Sequence, residues 1–357
     1  MIPVYKPFLN EEILKYAHDA LDSGWISSTG KYKQLTSELL CEKIGTKYSY
    51  LTCNGTVSCH LMSKVLRKFY PDKNKIIVPN NCYVAAWNSL LFDGENNVEL
   101  VPVDANLETW NIELGNTEGD IYYIVHNLGN IINVPKLKRE NPDKIFVEDA
   151  CEAFFGEYEG VPAGSASLCS AFSFFGNKNI SAGEGGAVVT NEKEIHDYIV
   201  HVSEQAQTTR FVHNELGYNY RMSNVHAAIL YGQLKYSDEI MENKRRVFDE
   251  YNRLFKDTGI ETQKIEKNTK HSCWMYGIKF KNKEVCRCVE SKLNSAGIDT
   301  RPMFYSIGKH DHLSSITSKN KNANILSETC LVLPSYPNLS NMEISTIVES
   351  VKKYHED

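Results

Sequence analysis

The sequence predicts an α/β protein, with a large domain on a mostly parallel mixed sheet flanked by helices and a small α+β C-terminal domain. Three observations predict it. Short, nearly continuous apolar runs recur at 75–78, 98–103, 120–125, 144–147, 168–174 and 186–190, the pattern of strands buried on both faces. Helical periodicity fills some of the intervals, as at 83–91, which fits strands alternating with helices. The chain of 357 residues is also longer than one small core accommodates, so two packed units are expected.

The elements follow in order. Residues 10–23 carry apolar positions at helical spacing and stop near Gly24, and 33–44 and 56–69 read as further helices. The strand-like runs occupy the middle of the chain. Residues 224–256 read as one long helix, interrupted only by Gly232 and closed by Gly259. A helix of that length suits a bridge between domains, so the large domain is expected over 1–240 and the small one over 241–357. Within the small domain, 274–280 reads as a strand, 284–296 and 342–354 as helices, and the polar stretch 318–324 as a loop.

Composition excludes several classes. A net charge of −6 lacks the basic excess with which a general nucleic-acid surface displaces counterions. No apolar run approaches the ~18 residues of a membrane span, and the start of the chain, Met1-Ile2-Pro3-Val4-Tyr5-Lys6-Pro7, has no apolar leader region. A soluble, cytoplasmic protein is expected. The ten cysteines are scattered, and Cys82, Cys169 and Cys330 lie in apolar or strand-like surroundings, so reduced and mostly buried thiols are expected. Cys286 and Cys288 form a lone C-x-C without a second pair, and no metal site is expected. His310-Asp311-His312 is equally isolated and reads as a solvated loop.

Three segments carry chemistry. In Phe146-Val147-Glu148-Asp149-Ala150 a buried strand ends in an acidic pair. Ligands bind beyond the carboxyl ends of strands in doubly wound sheets, and a carboxylate there either holds a ligand or caps the next helix. In 170–186, SAFSFFGNKNISAGEGG, a strand leads into a loop with one lysine, Lys178, followed by Gly183, Gly185 and Gly186. The order of lysine and glycines does not fit a P-loop. A lysine between two strand-like runs is well placed to be desolvated and reactive, as Schiff-base lysines are. In Leu51-Thr52-Cys53-Asn54-Gly55-Thr56 a small polar turn precedes a helix. Such a turn presents backbone N–H groups to an anion, or is an ordinary N-cap.

Together the three segments describe one ligand. A phosphate sits at Gly55-Thr56, Asp149 faces a protonated ring nitrogen, and Lys178 forms an imine with an aldehyde. Pyridoxal 5'-phosphate has all three groups, and its electron-sink chemistry needs the ring protonated and the aldehyde held.

On these motifs the chain resembles the DegT/DnrJ/StrS family of nucleotide-sugar aminotransferases, across nearly its whole length. The resemblance is carried by Gly24-Trp25-Ile26-Ser27-Ser28, Asn54-Gly55-Thr56, Val147-Glu148-Asp149-Ala150, the segments 172–180 and 183–186, Gly217-Tyr218-Asn219-Tyr220-Arg221-Met222, the segment 297–302, and Leu333-Pro334-Ser335-Tyr336-Pro337. It implies the aspartate aminotransferase-like, fold-type I architecture. It also implies that Lys178 binds the cofactor aldehyde and later moves the substrate proton, that Asp149 pairs with the pyridine nitrogen, and that Gly55, Thr56 and Ser173 bind the phosphate. Tyr83 matches an aromatic ring stacked on the pyridine. Asn219 matches a residue that reaches the phosphate of the neighbouring subunit, which implies a homodimer with shared active sites. Glu152 is a departure, because many relatives carry glutamine or histidine near the cofactor hydroxyl. His126, at another strand end, lines the sugar pocket or caps. Arg301 contacts substrate or makes a structural salt bridge.

The implied reaction is transamination from L-glutamate to a nucleotide-linked 4-keto-6-deoxy sugar, giving a 4-amino-4,6-dideoxy sugar for glycan assembly. Trp274-Met275-Tyr276-Gly277 and 297–302 look most like members acting at C4, such as perosamine and viosamine synthases. Amination at C3 is the alternative among aminotransferases. A sugar dehydratase of the same family carries histidine in place of Lys178, and a non-catalytic regulatory protein on this scaffold predicts loss of Lys178 or Asp149. Both residues are present.

Overall fold

A computed structural model describes residues 1–94, 98–316 and 321–356. Helices α1 (Glu11–Asp22) and α2 (Lys31–Ile44) lead into β1 (Tyr48–Thr52), α3 (Gly55–Phe69), β2 (Lys75–Pro79), α4 (Ala85–Leu91) and β3 (Glu99–Val103). Then come β4 (Ile121–Val125), α5 (Val134–Glu140), β5 (Ile145–Asp149) and the short strands β6 (Glu157–Tyr158) and β7 (Val161–Pro162). After β8 (Ser170–Ser173), β9 (Gly186–Thr190) and α6 (Lys193–Ser203), a hairpin of β10 (Gln207–Thr209) and β11 (Val212–His213) precedes α7 (Asn224–Lys235) and α8 (Ser237–Phe255). The remainder is β12 (Glu261–Thr262), β13 (Thr269–Lys270), β14 (Tyr276–Lys279), α9 (Lys283–Ser295), β15 (Arg301–Pro302), α10 (Asn322–Thr329), β16 (Cys330–Leu333) and α11 (Asn341–Glu356).

The large sheet has seven strands in the order β1-β9-β8-β5-β4-β2-β3. Every pairing from β8 to β3 is parallel, and β9 runs antiparallel to both β1 and β8. The apolar runs are explained by cover on both faces: β4 and β9 are buried at every position. One face packs Met62 of α3 and Trp87 of α4 against Tyr123 and Val147. The other packs Ile13 of α1, Leu40 of α2 and Leu230 of α7 against Phe172 and Val189. Burying a side chain of this size stabilises the fold by roughly 1.5–3 kcal/mol. This is the expected α/β architecture with a mostly parallel sheet.

The second core joins Val247 and Tyr251 of α8 to Ile278, Val289, Leu333 and Ile347, beside an antiparallel sheet of order β12-β14-β16-β15. Residues near the start of the chain stitch into this unit: the Ile2 N–H donates to Gly297 O at 2.8 Å, and the Asp299 N–H donates to Ile2 O at 2.9 Å.

Several boundaries differ from the sequence reading. The expected helix 224–256 divides at Tyr236 (φ −104°, ψ 14°), not at Gly232. Gly232 stays helical, and its missing side chain lets α1 cross closely there; a Cβ would lie 3.0 Å from Ile13 Cγ2. The new helix opens with Asp238 and Glu239, acidic residues that favour a helix N-terminus. Strands β1 and β16 were not anticipated, and the strand expected over 274–280 is confined to β14. Of the polar stretch 318–324, residues 318–320 lie outside the described residues, and 322–324 begin α10 rather than a loop. That helix start is capped from a distance: the Asp104 carboxylate accepts from the N–H groups of Lys321, Asn322 and Ala323 at 2.9–3.0 Å. Among the described residues no helix is long and apolar enough to cross a membrane.

Candidate active site

The carboxyl ends of β5 and β8 and the amino end of α3 open onto one cavity of about 970 Å³, near the upper end of the roughly 300–1,000 Å³ usual for ligand pockets. Gly55, Thr56, Tyr83, Asp149, Glu152 and Ser173 line it, together with Lys178 and Arg301.

Asp149 ends β5 and is 7% exposed. Its Oδ1 accepts the Cys151 N–H at 3.1 Å, and its Oδ2 accepts the Cys59 thiol at 3.6 Å. The carboxylate is thus held at both oxygens, in an orientation fixed by α3 and the turn after β5. The ligand atoms of Cys59, Asp149 and Cys151 lie within 4.8 Å of one another. The Cys151 thiol is pushed well above its ordinary range by its contact with Cys59 and by burial. All ten cysteines are free, and the lone C-x-C splits into a buried Cys286 and an exposed Cys288.

The anion cradle is the start of α3. Asn54 caps it, its Oδ1 accepting the Val57 N–H at 3.0 Å. The first N–H groups of a helix have no intrahelical carbonyl to bind, and the helix dipole favours an anion there. A Cβ on Gly55 would lie 2.7 Å from Ser173 Cβ and 2.9 Å from its Oγ, so only glycine lets α3 begin this close to β8. Gly186 does the same for β9, where a Cβ would sit 2.5 Å from Asn54 O. The glycine cluster after Lys178 therefore packs the cradle, in part, against its neighbouring strand.

Lys178 lies in the loop from β8 to β9. Phe174 N–H donates to Gly185 O and Ala182 N–H to Phe174 O, both at 2.8 Å, and Lys178 N–H donates to Phe175 O at 2.9 Å. Two further donors reach the lysine segment. The Tyr5 hydroxyl donates to Lys178 O and the Trp274 Nε1–H to Asn177 O, each at 2.8 Å. The Lys178 Nζ stands 4.0 Å from the centroid of the Trp274 ring.

Glu152 is 5% exposed and its Oε2 accepts the Leu128 N–H at 2.8 Å. Burial pushes its carboxyl up to about 7, against the opposing pull of Lys178. Tyr83 is 60% exposed and its ring lies 6.3 Å from that of Phe304. Arg301 both lines the cavity and pairs with Asp299, Nη1 to Oδ1 at 2.6 Å.

Two expected residues lie elsewhere. His126 is a correction: it is fully buried and does not line the cavity. Its Nε2 pairs with Glu148 Oε2 at 3.0 Å, and its Nδ1 accepts the Ile132 N–H at 3.0 Å, so both ring nitrogens are engaged inside the protein. Asn219 is exposed and outside this cavity, with its Oδ1 accepting Arg221 Nε–H at 3.0 Å. The structure also adds cavity residues the sequence did not flag. Tyr5 and Cys59 carried no local signal, and Trp274 stood out only within the 274–277 resemblance, without a place beside Lys178. In the expected solvated loop Asp311 and His312 are exposed, while His310 is half-buried, lies 5.5 Å from the Trp87 ring and lines the cavity.

A helix N-terminus for a phosphate, an oriented carboxylate for a pyridinium and a lysine for an aldehyde thus share one cavity, and the Gly55–Ser173 contact makes the cradle specific to a glycine. These residues fit pyridoxal phosphate.

Comparison with known proteins agrees. Residues 7–352 match the model of the DegT/DnrJ/EryC1/StrS aminotransferase family. The chain is 33% identical over 366 residues to the GDP-perosamine synthase of Escherichia coli O157:H7, covering 100% of this chain and 99% of that one. It is 32% identical over 371 residues to the GDP-perosamine synthase of Vibrio cholerae, covering 99% of each. Its fold is similar to that of Helicobacter pylori PseC, an aminotransferase involved in the biosynthesis of pseudoaminic acid, with TM-score 0.91, 25% identity and 99% of each chain covered. The chain therefore belongs to the DegT/DnrJ/EryC1/StrS aminotransferases and is a pyridoxal-phosphate-dependent sugar aminotransferase.

Proposed function

We propose that the enzyme moves an amino group from L-glutamate to C4 of a GDP-linked 4-keto-6-deoxy sugar, yielding a 4-amino-4,6-dideoxy sugar for glycan synthesis. The observation that carries this reading is end-to-end similarity to two GDP-perosamine synthases at 32–33% identity. Bound pyridoxal phosphate supplies an electron sink for the carbon that loses its proton. The chain's residues do the rest. The α3 N-terminus at Gly55-Thr56, with Ser173, binds the phosphate. Asp149, fixed by Cys59 and Cys151, keeps a proton on the ring nitrogen. Lys178 Nζ carries the proton between substrate and cofactor carbons. Tyr83 and Glu152, both lining the cavity, would hold the ring, and the Glu152 carboxyl brings a proton exchangeable near neutral pH. Arg301, at the cavity wall, meets the anionic sugar nucleotide.

Asn219 serves the phosphate of a second subunit in this reading, so the working unit is a homodimer. Ten free cysteines suit the reducing cytoplasm. The test is a substrate panel. Purified enzyme with pyridoxal phosphate and L-glutamate is offered GDP-, dTDP- and UDP-linked 4-keto-6-deoxy sugars, and the product is located by NMR. A C4 amine on the GDP sugar is expected; amination only at C3, or only of another nucleotide's sugar, rejects the assignment. Mixing Lys178→Ala with Asn219→Ala subunits should restore about a quarter of the active sites, because only heterodimers hold one intact set.

A further inference from the structure

We propose that the indole face of Trp274 is the resting place of the Lys178 ammonium whenever that lysine is not bonded to the cofactor. Trp274 thereby biases the enzyme toward its pyridoxamine phosphate form. The inference rests on the cofactor site and is independent of which sugar is aminated.

The geometry is that of a strong cation–π contact. Nζ lies 4.0 Å from the ring centroid, well inside the roughly 6 Å within which such contacts act, and Trp is the best ring for them. Among the described residues Lys178 makes no ion pair, although its charge reaches Glu152, and the ring is the group its ammonium contacts directly. The platform is built, not incidental. Trp274 is 5% exposed, and its Nε1–H holds the carbonyl of Asn177, the residue before the lysine. Tyr5 holds the carbonyl of Lys178 itself. A single buried lysine touches both residues: Lys244 Nζ donates to Trp274 O at 2.7 Å and stands 5.1 Å from the Tyr5 ring centroid. The backbone that launches Lys178 and the ring that receives its tip are therefore one rigid assembly.

Its consequence follows from which state leaves the lysine free. With pyridoxal phosphate bound, the Lys178 nitrogen is engaged in the Schiff base. With pyridoxamine phosphate bound, the cofactor carries its own amine and Lys178 is released. A contact available in one state and absent in the other shifts the balance between them by its full strength.

The test uses the full-length chain stripped of cofactor and titrated separately with pyridoxal phosphate and pyridoxamine phosphate. The ratio of the two dissociation constants is compared for the parent, Trp274→Phe and Trp274→Leu, each with Lys178 intact and as Lys178→Ala. With Lys178 intact, Trp274→Leu is expected to reduce the preference for pyridoxamine phosphate roughly 2- to 30-fold, with Trp274→Phe intermediate. In the Lys178→Ala background the substitutions leave the ratio unchanged. An unchanged ratio with Lys178 intact overturns the proposal, as does an equal change without the lysine, which makes Trp274 a packing residue. Should the leucine variant not fold, the same two criteria apply to Trp274→Phe, which keeps a ring in place.

Discussion

Replacing Glu152 with glutamine isolates the cost of a carboxylate sealed beside the cofactor site. In the folded chain, burial raises the Glu152 carboxyl from the ordinary 4.5 to about 7. Between those two values the folded state holds a proton that the unfolded chain has released. Stability from this group is therefore complete below about pH 4.5, declines as pH rises, and is lost above about pH 7. At about 1.4 kcal/mol per pH unit, the full effect is about 3 kcal/mol. Glutamine keeps the shape, its Oε1 can still accept the Leu128 N–H, and it carries no charge at any pH. Urea unfolding of the cofactor-free Glu152→Gln chain should show a gain over wild type of about 1 kcal/mol at pH 5, growing to about 3 kcal/mol at pH 8. A gain that stays flat between pH 5 and pH 8, or a variant less stable than wild type at pH 8, refutes the argument that desolvation governs this carboxyl.

Other outcomes follow from particular contacts. Gly55→Ala drives a Cβ to 2.7 Å from Ser173 Cβ and should lower stability by about 1–3 kcal/mol while weakening cofactor binding. Adding Ser173→Gly should recover stability but not phosphate affinity, as thermal unfolding and cofactor titration would show; stability unaffected by Gly55→Ala alone would contradict the clash. Asp149→Asn removes the charge that is proposed to pair with the ring nitrogen, and cofactor affinity by absorbance titration should fall roughly 10- to 150-fold, the loss of one charge-assisted hydrogen bond. Lys244→Met leaves the carbonyls of Trp274 and Ser335 without their donor, at about 2–5 kcal/mol in urea unfolding. Burial lowers the Lys244 amine from 10.5 to about 7, so wild type loses stability as pH falls across that window, because the unfolded chain takes up the proton first. The methionine variant should lack that slope.

What the sequence determined by itself was local. Apolar runs exposed most strands of the large sheet, because burial on both faces removes polar positions from a strand. An asparagine before a glycine marked the start of α3, an acidic pair marked the end of β5, and one lysine stood between two strands. Those three signals described the cofactor, since each chemical group it needs is announced within a few residues. Only the tertiary structure decided which other side chains stand around them. His126 sits at a strand end just as Asp149 does, yet Glu148 on the adjacent strand captures it in the interior. Asp104 starts α10 from across the fold. Tyr5 and Trp274 reach the Lys178 segment over separations of 173 and 97 residues, where no helical or strand period carries information. Their places are set by packing on Lys244, and packing depends on every element at once.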